Sequence, residues 1–195
     1  IAPCAATSCS ESLLQSSAEM ARNHRVGLHT HCGETVAENE FSLNHFGRRP
    51  LGYLLECGWD YNRAWFAHGI HFNNSELEAL SEQGIGVAHC PNANMRLGSG
   101  ICPVPKMLEQ GIKVGIGVDG SASNDSGHIL GELRQALYLA RVGGGAEAMS
   151  AMGALELGTW RAAELIGRDD IGRIAAGFCG DCALFPVHDL YSNGC

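Results

Sequence analysis

The sequence predicts an α/β protein in which repeated strand–helix units build a parallel sheet. Short apolar runs alternate with amphipathic helical segments along most of the 195 residues. Each of four apolar runs ends in a polar cluster, namely "HTHCGE", "AHGIH", "AHCPNAN" and "VDGSASND". Because the carboxyl ends of parallel strands meet at one rim of a sheet, these clusters are expected to lie together.

The first half of the chain alternates helix and strand, as judged from apolar periods and end signals. Ser10 suits a helix N-cap, Pro50 a first helical position and Gly47 a helix stop. In chain order we predict a helix over 11–24, a strand over 25–31, helices over 35–47 and 50–58, and a strand over 63–68.

The second half continues the alternation and then changes character. Gly84 is a helix stop, and the apolar run that follows it favours a buried strand. We predict a helix over 74–84, a strand over 85–90, a long loop over 91–104, a helix over 105–111, a strand over 112–119, and helices around 127–142 and 147–166. From residue 167 the sequence indicates short β pieces and turns.

Composition excludes several classes of function. Hydrophobic residues make up 45% and charged residues 17%, as in a globular chain that can bury a core. The formal net charge is −8 with no Lys/Arg cluster, so we expect no nucleic-acid partner. No apolar run reaches the roughly 20 residues that span a bilayer, so we expect no membrane insertion. The nine scattered cysteines and the lack of a signal-peptide pattern favour reduced thiols in a cytoplasmic protein.

The stretch "HTHCGE" places two imidazoles and a carboxylate at the end of a buried strand. His29 and His31 share one strand face because side chains alternate. For His29 a hydrogen-bonded core position is favoured over metal binding, and for His31 the reverse holds. Glu34 suits two roles equally well: a proton carrier beside a metal-activated water, or a carboxylate favoured by the next helix N-terminus.

Histidines and a carboxylate also end the later strands. His68 and His71 follow the second strand, where a lone histidine would usually be structural but a group of four is not easily dismissed. Asp119 ends an apolar strand, where a carboxylate is costly to bury without a metal or donors; the alternative is a local turn. Nitrogen and oxygen ligands without a thiolate cluster suit zinc or iron.

Two motifs are set aside. "GIGVDG" (115–120) matches a dinucleotide-binding pattern, but its glycines lie within a predicted strand rather than in a turn that opens a helix. "CGDC" (179–182) is a lone C-x-x-C without a second pair. A cysteine nucleophile at Cys32 or Cys90 is disfavoured because neither has a recognisable oxyanion-hole motif.

The order of these motifs resembles the metal-dependent amidohydrolase superfamily. The segments are "LHTHCGE", "FAHGIH", "AHCPNANMRLGSGICPV", "GIGVDGSASND" and the stretch from Glu156 to Phe185. Within the superfamily the chain is most similar to the branch of atrazine chlorohydrolase, triazine hydrolases and guanine deaminase, and above all to 8-oxoguanine deaminases. The family fold is a distorted (β/α)₈ TIM-type barrel flanked by a small β-sandwich. The resemblance therefore implies the C-terminal half of a barrel in residues 1–166 and part of the sandwich in 167–195.

The resemblance also implies roles for individual residues. His31 and Asp119 correspond to metal ligands, with zinc expected and iron possible. Glu34 corresponds to the residue that passes protons between a water and a substrate ring nitrogen, and His68 to the histidine that polarises the water; Asp119 assists. Ser123 and Asn94 fall in loops that line the substrate pocket. The implied reaction is hydrolytic deamination of a small heterocyclic base with release of ammonia.

One departure from the family pattern is serious. The family's first metal motif, an H-x-H pair, is nowhere upstream of residue 26, so His31 and Asp119 supply two ligands where catalytic zinc usually has three. We therefore expect a fragment of a longer enzyme, homo-oligomeric when full-length. Three hypotheses stay open: a purine deaminase such as one for 8-oxoguanine or guanine, a triazine chlorohydrolase or aminohydrolase, and an inactive half-barrel without metal.

Overall fold

Four parallel strands form the centre of the molecule. The structure is a computed structural model and describes residues 1–185. The strands are β1 (Leu28–Cys32), β2 (Ala64–His68), β3 (Gly86–His89) and β4 (Val114–Ile116). They make one sheet in the order β1-β2-β3-β4, with every neighbouring pair parallel. The predicted α/β class and parallel sheet are confirmed.

Helices connect the strands and cover the sheet. Within residues 1–185 these are α1 (Glu11–His24), α2 (Val36–Phe46), α3 (Pro50–Leu54), α4 (Asn74–Gln83), α5 (Pro91–Arg96), α6 (Val104–Glu109), α7 (Ile129–Gly144), α8 (Ala151–Leu157) and α9 (Trp160–Leu165). Ser10 caps α1 by accepting a hydrogen bond from the Leu13 N–H, and Gly47 and Gly84 end α2 and α4 in left-handed conformations, as the sequence predicts.

Several elements differ from the prediction; among them, β1 begins three residues later than predicted and α3 ends at Leu54. The predicted loop 91–104 begins with helix α5, because Pro91 occupies a first-turn position where its missing N–H costs no hydrogen bond. The predicted helix 147–166 is divided into α8 and α9 at Gly158, where the chain packs so closely on Leu133 that a Cβ would lie 2.9 Å from Leu133 Cδ1. Strand β4 is shorter than predicted because the chain leaves the sheet after Ile116.

The two faces of the sheet have different surroundings. Leu28, Phe66, Val87 and Val114 are fully buried in one core under the helices. On the opposite face of the sheet, the strand register places His31 of β1 beside Ala67 of β2, and Ala67 beside Ala88 of β3. Because strand side chains alternate, the histidines of β1 lie on this second face.

The amino-terminal segment runs beside β1. The His29 N–H donates to Ile1 O at 2.9 Å, the His31 N–H donates to Cys4 O at 3.1 Å, and Ala5 forms a parallel bridge with His31. This segment therefore extends the sheet past β1 and places a backbone carbonyl next to the end of that strand.

Helix α9 lies against the second face near the start of β3 and β4. A Cβ on Gly86 would overlap Leu165 Cδ1 and lie 2.9 Å from Lys113 O, and a Cβ on Gly115 would lie 2.9 Å from Leu165 Cδ2. The absence of a side chain at these two positions is therefore what allows the close approach.

We expect Gly86→Ala to lower the free energy of unfolding by about 2 kcal/mol, because the added methyl group has no space. Urea unfolding followed by circular dichroism measures this. Gly180→Ala is the matched control, since a Cβ there meets nothing within 4 Å; its expected effect is within about 0.5 kcal/mol. Equal effects of the two substitutions would contradict the close packing of α9.

The last described residues contain turns and bends. No strand occurs within 167–185, and the remainder of the predicted sandwich segment, 186–195, lies outside the described residues. The division into a barrel part (1–166) and a β-sandwich part (167–195) therefore stays a prediction. Among the helices of residues 1–185, none combines the length and the hydropathy that a bilayer crossing requires.

Candidate metal centre

Three of the predicted site residues converge at the carboxyl-terminal rim of the sheet. His31 and His68 lie at the ends of β1 and β2, and Asp119 follows β4 by three residues. One potential ligand atom from each lies within 4.8 Å of the others. In the described part of the chain this is the group of His, Cys, Asp or Glu side chains with the geometry to hold a metal ion.

His31 is oriented by the amino-terminal segment. Its Nδ1 lies 2.6 Å from Cys4 O, and because a carbonyl only accepts, Nδ1 carries the hydrogen. The lone pair is therefore on Nε2, which lies 3.7 Å from Asp119 Oδ1. This is the arrangement by which proteins fix the tautomer and the ring orientation of a metal-binding histidine.

His68 reaches the site through an unusual backbone conformation. Register pairs it with Cys32, whose side chain lies in the core, so simple alternation would turn His68 away from His31. A φ of 75° redirects the side chain, and its ring stacks on His31 with centroids 5.3 Å apart. The side chain is buried, its Nδ1 donates to Asn94 Oδ1 at 2.9 Å, and its Nε2 has no hydrogen-bond partner.

Asp119 also has a left-handed backbone, with φ of 63°. Ser123 Oγ donates to its Oδ2 at 2.7 Å, which leaves Oδ1 directed toward His31. Burial acts to raise the pKa of Asp119, but the hydrogen bonds from Ser123 and the Gly120 backbone, together with nearby His68 and His31, outweigh it. The pKa therefore lies below its ordinary value, and the carboxylate is ionised and able to act as a ligand.

Glu34 faces the centre and is not used as a helix cap. Its Oε2 lies 3.7 Å from His68 Nε2. Thr35 caps α2 by accepting from the Glu38 N–H, and the Glu38 carboxylate accepts from the Glu34 N–H at 2.7 Å. Because Glu38 serves the helix N-terminus, the Glu34 carboxylate is free for the site, which favours the first of its two predicted roles.

The other two candidate histidines lie outside the centre. His29 Nδ1 donates to Trp65 O at 3.0 Å, its ring stacks on Trp65, and burial lowers its pKa. His71 Nε2 donates to Ser99 O at 2.8 Å and so ties two loops together. The hydrogen-bonded core role favoured for His29 agrees with this geometry.

Two cavities flank His31. One, of about 290 Å³, is lined by Glu34, Thr7 and Phe41 among others, and a second, of about 360 Å³, extends past Asp119 toward α9.

Asn94 and Ser123 line neither of these two cavities. Asn94 is fully buried behind His68, and Ser123 contacts Asp119. Their predicted contact with substrate stays a prediction, while the structure shows that both position site residues.

The cysteines near the site do not have the properties of nucleophiles. Cys32 and Cys90 are buried. Burial raises the pKa of Cys32 well above its ordinary value and that of Cys90 to about 12. A thiol rather than a thiolate is therefore present near neutral pH, and the disfavoured cysteine-nucleophile hypothesis gains no support.

The arrangement fits a metal ion. Two imidazoles expose Nε2 lone pairs because their Nδ1 atoms donate elsewhere, and an ionised carboxylate completes the group. The buried Nε2 of His68 has no hydrogen-bond partner among the described residues. A mixed nitrogen and oxygen donor set of this kind is typical of catalytic zinc.

Sequence reasoning missed the partners that orient these side chains. Cys4 acts through its backbone carbonyl, which no side-chain motif reports, and it lies 27 residues from His31 along the chain. Asn94 belongs to the segment "AHCPNAN", but its hydrogen bond with His68 joins residues 26 positions apart in the sequence. Neither contact leaves a local signal in a single sequence.

Comparisons with known proteins identify the family of the chain. The Amidohydrolase family model matches residues 1–193. The chain is 47% identical over 194 residues to an 8-oxoguanine deaminase of Pseudomonas aeruginosa, covering 100% of this chain and 43% of that protein.

Solved structures show the same fold. An adenosine deaminase from Xanthomonas campestris with bound zinc superposes with a TM-score of 0.93 at 30% identity, covering 99% of this chain and 44% of the other. Atrazine chlorohydrolase TrzN from Arthrobacter aurescens TC1, complexed with zinc, gives 0.92 at 32% identity, covering 100% and 44%. The chain thus spans less than half the length of these relatives, and its four strand–helix units correspond to half of a TIM-type barrel. The chain belongs to the Amidohydrolase family.

Proposed function

We propose that the protein carrying this chain hydrolytically deaminates a purine-type base related to 8-oxoguanine and releases ammonia. The observation that carries the proposal is the convergence of His31, His68 and Asp119 within 4.8 Å, with Glu34 3.7 Å from His68. The 47% identity to an 8-oxoguanine deaminase supports this choice of substrate class.

Zinc is the proposed metal, with His31 and Asp119 as its ligands in this chain. The nitrogen and oxygen donors suit it, and two similar solved structures hold zinc. Iron, which also accepts such donors, is the alternative. When bound, zinc supplies the Lewis acidity that makes water a nucleophile near neutral pH.

The chain's own residues would then handle protons and position water. His68 Nε2, whose lone pair is free, can accept a hydrogen bond from the attacking water, and ionised Asp119 can accept its proton. Glu34, on the wall of the 290 Å³ cavity, can protonate the ring nitrogen beside the amino-bearing carbon. Protonation of the ring nitrogen makes that carbon more electrophilic toward the water oxygen. The proton held by Asp119 would then pass to the amino group, which leaves as ammonia. The hydroxyl group derived from the water would return a proton to Glu34 and become the new carbonyl oxygen.

A triazine hydrolase is the second candidate, favoured by the match to atrazine chlorohydrolase TrzN. Supplying the protein with 8-oxoguanine and, separately, with atrazine distinguishes the two. We expect ammonia from 8-oxoguanine, measured by a coupled enzymatic assay, and no chloride from atrazine, measured by ion chromatography. Chloride release without ammonia release would overturn the purine proposal.

Three further points stay predictions. They are a cytoplasmic location, a homo-oligomeric assembly of the longer enzyme, and the possibility that residues 1–195 alone form an inactive half-barrel. Parallel assays of the 195-residue chain and of a longer protein that contains it test the last point. Product formed only by the longer protein would identify the chain as one part of the catalytic unit.

A further inference from the structure

A buried carboxylate lies behind the metal centre and takes no part in the proposed metal binding or proton transfer. Glu132, in the first turn of α7, is fully buried. It lies one helical turn from Ala136 and two from Ala140, which are also buried, so it occupies the apolar stripe of the helix. An ionisable side chain there is costly unless its oxygens are satisfied.

Amide donors from two segments, helix α5 and the loop after β4, satisfy Glu132. Its Oε2 accepts from the Asn92 backbone N–H at 3.1 Å, and its Oε1 accepts from Asn92 Nδ2 at 2.6 Å and from Asn124 Nδ2 at 2.5 Å. Asn92 belongs to the segment after β3, and Asn124 belongs to the segment after β4. One carboxylate therefore holds together two segments, α5 and the loop after β4, that follow neighbouring strands.

Each of these two segments, α5 and the loop after β4, contacts a residue of the metal centre. Asn94 lies two residues after Asn92, and its Oδ1 accepts from His68 Nδ1. Asn124 Nδ2 also donates to Val118 O at 2.7 Å, and Val118 immediately precedes Asp119. Hydrogen bonds together with short stretches of backbone thus connect Glu132 to the imidazole of His68 on one side and to Asp119 on the other.

We propose that Glu132 is a positioning residue that sets the relative placement of Asp119 and His68. The backbone at both site residues is left-handed, with φ of 63° and 75°. Non-glycine residues hold such conformations only where the surrounding structure over-determines them. The hydrogen bond from Asn124 to Val118 O supplies that constraint directly before Asp119. The hydrogen bonds from Asn92 hold helix α5, which carries Asn94.

Glutamine cannot replace Glu132 in this role. Both carboxylate oxygens accept from N–H donors, whereas a glutamine amide would direct its NH₂ group at one of them. Glu132→Gln keeps the size of the side chain, but its NH₂ group would face an N–H donor of Asn92 or Asn124 instead of accepting a hydrogen bond from it. The shape of the α7 packing is conserved, so the substitution tests the hydrogen bonds rather than the volume.

Hydrogen–deuterium exchange of the metal-free 195-residue chain tests the proposal without any assay of activity. In Glu132→Gln we expect exchange at least about tenfold faster in peptides covering 91–97 and 118–126, with α4 and the strands unchanged. Glu76→Gln is the matched control, because Glu76 is a buried carboxylate that binds Arg49 and the Asn73 N–H away from the centre. If Glu132→Gln left the exchange of both peptides, 91–97 and 118–126, unchanged, the proposal would be overturned.

Zinc affinity and kinetics give a second readout that rests on the proposed function. Competition with a chromogenic chelator should show zinc binding weakened by about 10- to 100-fold in Glu132→Gln, the usual range for outer residues that orient ligands. In the active longer protein, kcat should fall with little change in KM. Faster exchange in 91–97 and 118–126 without any deaminase activity in the wild type would retain the positioning role and reject the proposed function. The zinc titration uses a protein whose wild type binds zinc, the 195-residue chain or the longer protein; in it, equal zinc affinity of Glu132→Gln and Glu76→Gln would reject the positioning role.

Discussion

Replacing Asp119 with Asn is expected to remove the bound metal and to lower the catalytic efficiency of the proposed deaminase by about a thousandfold or more. Loss of several kcal/mol of metal-derived stabilisation corresponds to about that factor. The amide keeps the shape of the carboxylate and can still accept a hydrogen bond from Ser123, whose Oγ lies 2.7 Å from Oδ2. It lacks the negative charge that faces His31 Nε2 at 3.7 Å.

Metal content per chain, measured by mass spectrometry on wild type and Asp119→Asn, checks the first part of this expectation. Asp125→Asn is the matched control, because its side chain is 81% exposed and pairs with Arg96 outside the centre. About one zinc per wild-type chain, retained in Asp125→Asn and lost in Asp119→Asn, is the predicted pattern. Zinc retained at full occupancy in Asp119→Asn would remove Asp119 from the ligand set. Metal found only in a longer protein would show that the site needs further ligands.

Glu34→Gln should lower kcat by about 10²- to 10⁴-fold while the metal stays bound, because an amide cannot carry a proton to the substrate. The substitution conserves size, and α2 should be unaffected since Glu38 and Thr35 supply its cap. Steady-state ammonia release, with metal analysis of the same samples, separates the proton-transfer role from a ligand role.

Glu40→Gln controls for the loss of a negative charge close by in the sequence, because Glu40 is exposed on α2, the helix that follows Glu34. Its kcat should stay within about twofold of wild type, as for other surface substitutions. If Glu34→Gln also lost the metal, Glu34 would be a ligand rather than a proton carrier. Full activity in Glu34→Gln would exclude it from the reaction altogether.

Much of the fold follows from local sequence signals. Period-two and period-3.6 patterns, together with Ser10, Gly47 and Gly84, predict the strands and most helices, because burial and capping depend on neighbouring residues. The predicted bounds are wrong where contacts with residues distant in the sequence decide where an element ends. Leu133 contacts Gly158 and thereby divides the predicted helix 147–166, and β4 ends early because the loop after it turns into the site.

The candidate site is partly predictable for the same reason. Placing His31, His68 and Asp119 at the carboxyl-terminal ends of β1, β2 and β4 requires only that the strands be parallel, since parallel strands share one carboxyl-terminal rim. That inference brings the residues to one region, and the 4.8 Å cluster agrees with it. It does not reveal which ring nitrogen faces the centre, because this depends on Cys4 O and Asn94 Oδ1.

The sequence by itself therefore determined the α/β class, the order of the βα units and the identity of the residues at the rim, because these depend on periodicity and order along the chain. Only the tertiary structure decided how the rim residues are aimed. Alternation alone would turn His68 toward the core beside Cys32, and a φ of 75° turns it toward His31 instead. The hydrogen bonds to Glu132 from helix α5 and from the loop after β4, at separations of 40 and 8 residues, likewise arise only once the chain has folded, because they join groups that no local pattern connects.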